Sequence, residues 1–304
     1  MAPDPSWSPA LAVVAPTATD PAGALAVAPA PEHAAVERAV RPYGHHVSVV
    51  IPAMNEQQNI GWVLRRLPTL VDEVVLVDGH STDGTVATAR EARPDIVVIN
   101  QNARGKGEAL RRGFAAASGD LIVMLDADGS MDPAEIHRFV TPLVNGYQLV
   151  KGSRFLSGGG SRDLTALRRV GNQALVRMTN AMFLIRFTDL CYGFCSFRRD
   201  VLAALALTAH GFEIETELLI HALKANLRIA EVPSMEYERR FGTSNLHTFR
   251  DGQRVLRTLL RERLTRNPRS VVDAIDPRAL HDWRAKALVG HGAQEPLPQG
   301  GIAS

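Results

Sequence analysis

Four times along the first half of the folded body, a short apolar run rich in β-branched residues is followed within a few positions by a segment of helical periodicity. HVSVVIP precedes NIGWVLRRL, EVVLVDG precedes TVATAREA, IVVIN precedes KGEALRRGFAAA, and LIVMLDAD precedes PAEIHRFVTPLV. A strand that reads as a continuous apolar run has no polar face for water, so it must be covered on both sides. A helix in each connection brings the chain back to lay the next strand parallel to the last. The alternation predicts an α/β fold, a mostly parallel sheet flanked by helices. At 304 residues, with 45% hydrophobic and 22% charged, the chain can bury the core that such a sheet needs. After QLVKGSRF the rhythm loosens. A helical stretch at about 165–186 is followed by CYGFCSFRRDVL, a helix in EIETELLIHALKAN, the strand RIAEVPSMEY and a basic helix near 247–264.

The flanks differ from this body. Residues 1–44 are rich in Ala and Pro, and residues 267–304 end in GHGAQEPLPQGGIAS; both are expected to be loosely ordered extensions of one domain at 45–266. The apolar stretch LAVVAPTATDPAGALAVAP has no Lys/Arg-rich lead and is broken by Asp and Pro, so it is not expected to act as a signal peptide. No uninterrupted apolar window is long enough for a transmembrane helix. Cys191 and Cys195 lie four apart, a spacing that suits neither a disulfide framework nor a zinc site, and they read as ordinary thiols of a reducing cytoplasm. A net charge of +2 does not call for nucleic acid. The Ala-, Pro- and Arg-rich composition is compatible with a bacterium of high GC content.

In an open α/β sheet, ligands bind at the carboxyl ends of the strands. That rule sets Pro52, Asn55 and Glu56, then Asp78, then Asp126 and Asp128, along one rim. Asp126 and Asp128 are two carboxylates separated by alanine; in a regular strand they share a face and can reach one hard divalent cation. The alternative is a solvated turn with an Asp capping the helix after Pro133, a role that suits Asp132 better. No G-x-x-x-x-G-K-[ST] and no G-x-G-x-x-G between the first strand and helix are present, so phosphates must be held by metal and basic side chains. Lys106, between Gly105 and Gly107, opens a helix whose amides could meet an anion, or is simply part of a cap. Arg154 follows an apolar strand directly and belongs on the rim, and Arg168 and Arg239 lie in later basic pairs. Glu213, Glu215 and Glu217 alternate; they are explained either by a helix dipole or by a general base among them. In the last helix Arg250, Arg254, Arg257 and Arg261 share a face beside Val255, Leu256, Leu259, Leu260 and Leu264. Such a helix can lie on an anionic membrane surface or dock by its leucines.

Over about residues 46–262 these pieces resemble glycosyltransferase family 2, of the inverting GT-A (Rossmann-like) fold, and within it the dolichyl- or polyprenyl-phosphate mannose synthase-like branch. The matching stretches are VVIPAMNE, VDGHSTDGT, RGKGEALRRGF, GDLIVMLDADGSMDP, KGSRF, TDLCYGFCSFRRDVL, GFEIETELL and ERRFGTSNL, in that order. The resemblance implies that Pro52, Asn55, Glu56 and Asp78, with Lys106, bind the nucleotide sugar. Asp126 and Asp128 would meet Mg2+ or Mn2+ and the donor diphosphate. Arg154, Arg168 and Arg239 would hold phosphates, and Asp189, Glu215 and Glu217 would complete the acceptor side. The chain departs from the family at Gly79 and His80, where VDDGSTDGT is common. It departs from the branch at Ser130, where a Gln commonly stands as a further metal ligand, and at Asn245, where a Lys is common.

The resulting expectation is metal-dependent transfer of mannose or glucose, from GDP-mannose or UDP-glucose, to a polyprenyl phosphate, by a cytoplasmic enzyme that can rest on the membrane. A polyprenyl phosphate arrives ionised and needs cations to orient it; an alcohol acceptor needs a carboxylate base. A soluble hydroxyl acceptor is therefore the first alternative, and a nucleotide-sugar-binding module without turnover the second.

Overall fold

A computed structural model describes residues 44–243 and 248–265. Apart from Gly44, the expected extensions at 1–44 and 267–304, and the position of Asn245, lie outside the described residues. The first half follows the predicted alternation: β1 (Val47–Ala53), α1 (Gln57–Arg65), β2 (Glu73–Asp78), α2 (Thr85–Ala92), β3 (Val97–Asn100), α3 (Lys106–Ala116), β4 (Leu121–Met124) and α4 (Ile136–Val144). There follow β5 (Leu149–Ser153), β6 (Gly160–Ser161), α5 (Ala166–Phe183), β7 (Cys195–Arg198), α6 (Leu202–Leu205), α7 (Ile214–Lys224), β8 (Ile229–Pro233), β9 (Met235–Glu236) and α8 (Thr248–Leu264).

Seven strands form one sheet in the order β3-β2-β1-β4-β7-β5-β8, with β7 antiparallel to both neighbours and every other pairing parallel. Alternate residues feed two cores. Val47, Val49 and Ile51 pack with Ile60, Val63 and Ala89 of α1 and α2, and with Phe139 of α4. Val50, Val75 and Val77 pack with Leu110 and Phe114 of α3, Leu218 of α7 and Leu259 of α8. Both faces are thus covered, which is why the strands carry no polar alternation. Gly113 brings α3 onto the sheet: a Cβ there would lie 2.3 Å from Val50 Cγ1.

The strand order reverses between β1 and β4, with α1 and α2 on one face and α3 on the other. This is the crevice at which open α/β sheets bind ligands. One strand was not legible in the sequence. β7 is four residues, Cys-Ser-Phe-Arg, all buried, with Ser196 Oγ donating to Phe139 O at 3.0 Å and Arg198 paired with Asp200. Its polar residues are satisfied internally, so neither alternation nor an apolar run marks it.

Candidate active site

The ends of β1, β2, β4 and β5 open onto one cleft of about 1430 Å³. Pockets for one drug-sized ligand run to about 300–1,000 Å³, so this cleft has room for two substrates. β4 stops at Met124, and Asp126–Asp128 turn away beyond it. The two carboxylates therefore project from a turn, not from one face of a strand as the sequence suggested. The turn is braced: Ser130 N donates to Asp128 Oδ1 at 3.0 Å, and Tyr237 N donates to Ser130 O at 2.8 Å. Gly129 has a φ of 76°, and a Cβ there would meet Arg240 Cδ at 2.7 Å. Asp132 caps the following 3-10 turn through Ala134 N, the helix-capping role that the sequence assigned to it.

Each aspartate meets a cation from elsewhere in the chain. Lys106 Nζ lies 2.7 Å from Asp126 Oδ1 and 2.9 Å from Glu215 Oε1. Arg239 Nη1 lies 3.2 Å from Asp128 Oδ2, while its Nη2 pairs with Glu56 Oε1. Burial pushes the Asp126 carboxyl up, Lys106 opposes this, and the neighbouring charges of Asp128 and Glu215 push further up. Burial likewise raises Glu56 against the hydrogen bonds from Asn59 and Arg239. Burial works against the Lys106 ammonium, yet Asp126 and Glu215 outweigh it and hold the proton. Glu56, Asp126, Asp128 and Glu215 thus bring four carboxylates to two cations. The surplus of negative charge and the hard oxygen donors fit a divalent cation of the magnesium type held by Asp126 and Asp128.

The predicted nucleotide-binding residues divide into two groups. Pro52, Glu56, Lys106 and Asp126 line the cleft. Asn55 and Asp78 are not among its lining residues and lace the loops behind it. Thr82 N donates to Asn55 Oδ1 at 2.8 Å, and Ser81 N donates to Asp78 Oδ2 at 3.1 Å. Asn55 and His80 both take left-handed backbone, with φ of 58° and 62°. Two amides in the first turn of α3 are not available to an anion. Gly107 N and Glu108 N both donate to His210 O, at 2.9 and 3.3 Å. Lys106 acts through its side chain instead.

Arg154 lines the cleft, but its charge is already met. Its Nε and Nη2 hold Asp189 at 2.7 and 3.0 Å, and its Nη1 holds Glu236 at 3.0 Å. Asp189 is fully buried; burial opposes its ionisation, but the Arg154 hydrogen bonds and charge keep its carboxyl below the usual range. Asp189 therefore positions Arg154 and is not itself among the residues that line the cleft. Glu217 is also placed away from the cleft. Fully buried, it accepts from Thr208 N at 2.9 Å, Thr208 Oγ1 at 2.6 Å and Ala209 N at 2.8 Å, and pairs with Arg261 at 3.2 Å. Two positions from Glu215 on a helix is the opposite side, so the triple acid could not act as a set. Arg168 and Ser130 line the cleft. Cys191 and Cys195 are free, and burial pushes both thiols up to about 12, as suits unreactive cysteines.

Sequence reasoning missed Glu236, Asn172 and Thr216. Glu236 reaches the site because β9 pairs with β6, and Met131 bridges to it as well. Asn172 and Thr216 line the cleft from α5 and α7. A lone Asn or Thr within a helix carries no local signal of a site.

The sequence pattern described as Glycosyl transferase family 2 matches residues 48–205. Glycosyltransferase AglJ of Haloferax volcanii is 33% identical over 228 residues, covering 73% of each chain. Polyprenol monophosphomannose synthase of Mycolicibacterium smegmatis is 31% identical over 65% of this chain and 80% of its own length. Dolichol-phosphate mannosyltransferase of Pyrococcus furiosus is 30% identical over 62% of this chain, which spans 55% of that enzyme. Among solved structures, glucosyl-3-phosphoglycerate synthase from Mycobacterium tuberculosis with Mn2+, UDP-glucose and phosphoglyceric acid superposes with a TM-score of 0.60. It shares 28% identity over 74% of this chain and 82% of that one. With the sheet order, the cleft at its reversal and the paired aspartates, these similarities show that the chain belongs to glycosyltransferase family 2.

Proposed function

We propose that this glycosyltransferase moves a hexose, mannose or glucose, from a nucleoside-diphosphate donor to a polyprenyl phosphate in a metal-dependent, inverting reaction. One observation carries the choice of acceptor. The four carboxylates around the Asp126–Asp128 turn are all engaged, Asp126 and Glu215 by Lys106, Asp128 and Glu56 by Arg239. None is left as a free base, which suits an acceptor that arrives already ionised. Names of relatives support the same reading: a polyprenol monophosphomannose synthase and a dolichol-phosphate mannosyltransferase are among them.

In this reading Pro52 and Glu56 border the nucleoside, and Asp126 and Asp128, with Ser130 beside them, hold Mg2+ or Mn2+. The bound ion would neutralise charge gathering on the departing diphosphate. Arg239 lies 3.2 Å from Asp128 and is placed to turn from that carboxylate to a phosphate once the cation takes its place. Arg168 supplies positive charge on the acceptor side, and Arg154, fixed by Asp189 and Glu236, shapes that wall. No helix among the described residues is long and apolar enough to cross a membrane. The acceptor would be met at the cytoplasmic membrane surface, with α8 as the contact.

The test is sugar transfer from radiolabelled GDP-mannose and UDP-glucose with Mg2+ or Mn2+, scored as label in organic-extractable against water-soluble product. Label in the organic phase that EDTA abolishes is expected; metal-dependent donor turnover with all label in water would refute the lipid acceptor. A second reading, a soluble hydroxyl acceptor, is favoured by the likeness to glucosyl-3-phosphoglycerate synthase. It requires Glu215 to leave Lys106 and act as a base, so Glu215→Gln should abolish transfer to an alcohol and spare transfer to a phosphate. The binding-only alternative is set aside, since the family is one of transferases and both cleft aspartates are in place.

A further inference from the structure

The cleft continues past the arginines into a groove between α5 and α8, and its lining there is unusual. Gly171 of α5 and Gly252 of α8 both line it. Neither has positive φ, and a Cβ added at either would meet nothing within 4 Å. Glycine is disfavoured inside a helix relative to alanine, and here neither backbone geometry nor packing in the protein explains it. Leu175 and Val255 give the same groove apolar walls. At its inner end, Asn172 Nδ2 and Thr216 Oγ1 have no hydrogen-bond partner, although the two residues are only 4% and 1% exposed. Buried polar atoms are almost always paired, so these two point to the oxygen atoms of a ligand.

The outer end meets the most apolar part of the surface. Of eleven exposed large apolar side chains among the described residues, seven lie on α5, its C-cap or α8: Leu167, Val170, Leu184, Phe249, Leu256, Leu260 and Leu264. The exposed apolar side chains are thus concentrated on the two helices that flank the groove. The same two helices expose no acid. α5 contains none, and Asp251 and Glu262 of α8 are buried at 3% and 6%. Arg169, Arg177, Arg257 and Arg263 are exposed on them. An apolar strip fringed by arginines alone is complementary to an anionic bilayer.

We propose that the α5–α8 groove is an acceptor channel: Asn172 and Thr216 take phosphate oxygens at its inner end, and Gly171 and Gly252 leave passage for a prenyl chain. The mouth of the channel opens onto anionic lipid, on which Leu167, Val170, Leu256 and Leu260 rest. The inference rests on the lipid-phosphate reading above and adds the route by which that acceptor enters.

The experiment uses the full chain with GDP or UDP and Mn2+. Farnesyl phosphate and 3-phosphoglycerate binding are measured by calorimetry for the parent, Gly171→Leu and Gly252→Leu, and flotation on phosphatidylglycerol vesicles for the parent and the Leu256→Asp/Leu260→Asp pair. Each leucine should weaken farnesyl phosphate binding by at least about tenfold, or about 1.4 kcal/mol, with 3-phosphoglycerate and nucleotide binding unchanged. The parent should float and the aspartate pair should not. Farnesyl phosphate bound equally by parent and leucine variants, or not at all, overturns the channel; loss of 3-phosphoglycerate binding to the same extent identifies a free phosphate and overturns the lipid occupant. A parent that stays off the vesicles overturns the membrane face. If binding and flotation behave as expected but no sugar reaches lipid, the functional reading fails and the channel stands. Lipid product undiminished in the leucine variants gives the reverse.

Discussion

At the Asp126–Asp128 turn, the aspartate side chains are 24% and 21% exposed and their cations come from separate segments, Lys106 at the start of α3 and Arg239 beyond β9. At the Arg154 corner, Asp189 is not exposed at all, Arg154 keeps 5%, and the two are joined by paired hydrogen bonds from Nε and Nη2 along one guanidinium edge. Both regions pair arginine or lysine with carboxylate, yet the physics differs. A partly exposed pair can exchange one partner for an incoming ion at a smaller cost, because water still reaches one side of each aspartate. A fully buried pair cannot, since removing either member leaves the other uncompensated in a poor solvent for charge. In the proposed reaction the turn exchanges Arg239 for the incoming ion, whereas the corner keeps its pairs.

The largest expected effect lies at the corner. Asp189→Ala leaves Arg154 buried against Glu236 alone, and should lower unfolding stability by about 3–5 kcal/mol, read by urea denaturation. A loss below about 1 kcal/mol, the range of exposed pairs, would erase the distinction between the regions. Asp128→Asn should do the reverse. Stability should stay close to the parent's, while transfer falls by about 100- to 1,000-fold, the scale seen when one charge-stabilising group is removed from an active site. Normal transfer by Asp128→Asn would deny the turn its place in the chemistry.

The contrast also explains what could be read from the sequence. Glu56, Asp126 and Asp128 stood out because each follows an apolar run directly, and a rim of acids at strand ends is not needed for folding. The corner was only half legible. Arg154 follows β5, but Glu236 arrives through a two-residue strand and Asp189 through an irregular segment, and no local pattern encodes those approaches. Glu215 and Glu217 looked equivalent until helix geometry sent one to Lys106 and the other to Thr208 and Ala209. Two amides at the start of α3 looked free until His210, over a hundred positions away, took them. Long-range partners decided each case, and these are what a linear pattern does not contain.

Behind the corner, Glu231 of β8 supplies a pH-dependent test. Its carboxylate accepts from Thr188 N at 3.0 Å and from Asp189 N at 3.3 Å, yet burial outweighs these bonds and pushes its pKa from the usual 4.5 up to about 7. A raised carboxyl pKa means that the folded state binds the proton more tightly than the unfolded one. The associated stability is full below pH 4.5 and lost as pH rises through about 7. The parent should therefore lose on the order of 3 kcal/mol across that window, and Glu231→Gln, neutral throughout, should not. An unchanged slope in Glu231→Gln would assign the titration to another group and leave the corner insensitive to pH.

The smallest effect concerns how the proposed acceptor wall is anchored. Thr165 caps α5, its side chain accepting from Arg168 N at 3.3 Å, and both residues line the cleft. Thr165→Ala should cost about 1 kcal/mol, the usual value of such a cap, by thermal or chemical unfolding. Because the cap also fixes the backbone from which Arg168 projects, fraying of this first turn should raise KM for the phosphate acceptor and leave donor binding as it was. Asp126 and Asp128 depend on other segments, so a matching rise in donor KM would mean that the two regions move together and that their separation is one of exposure alone.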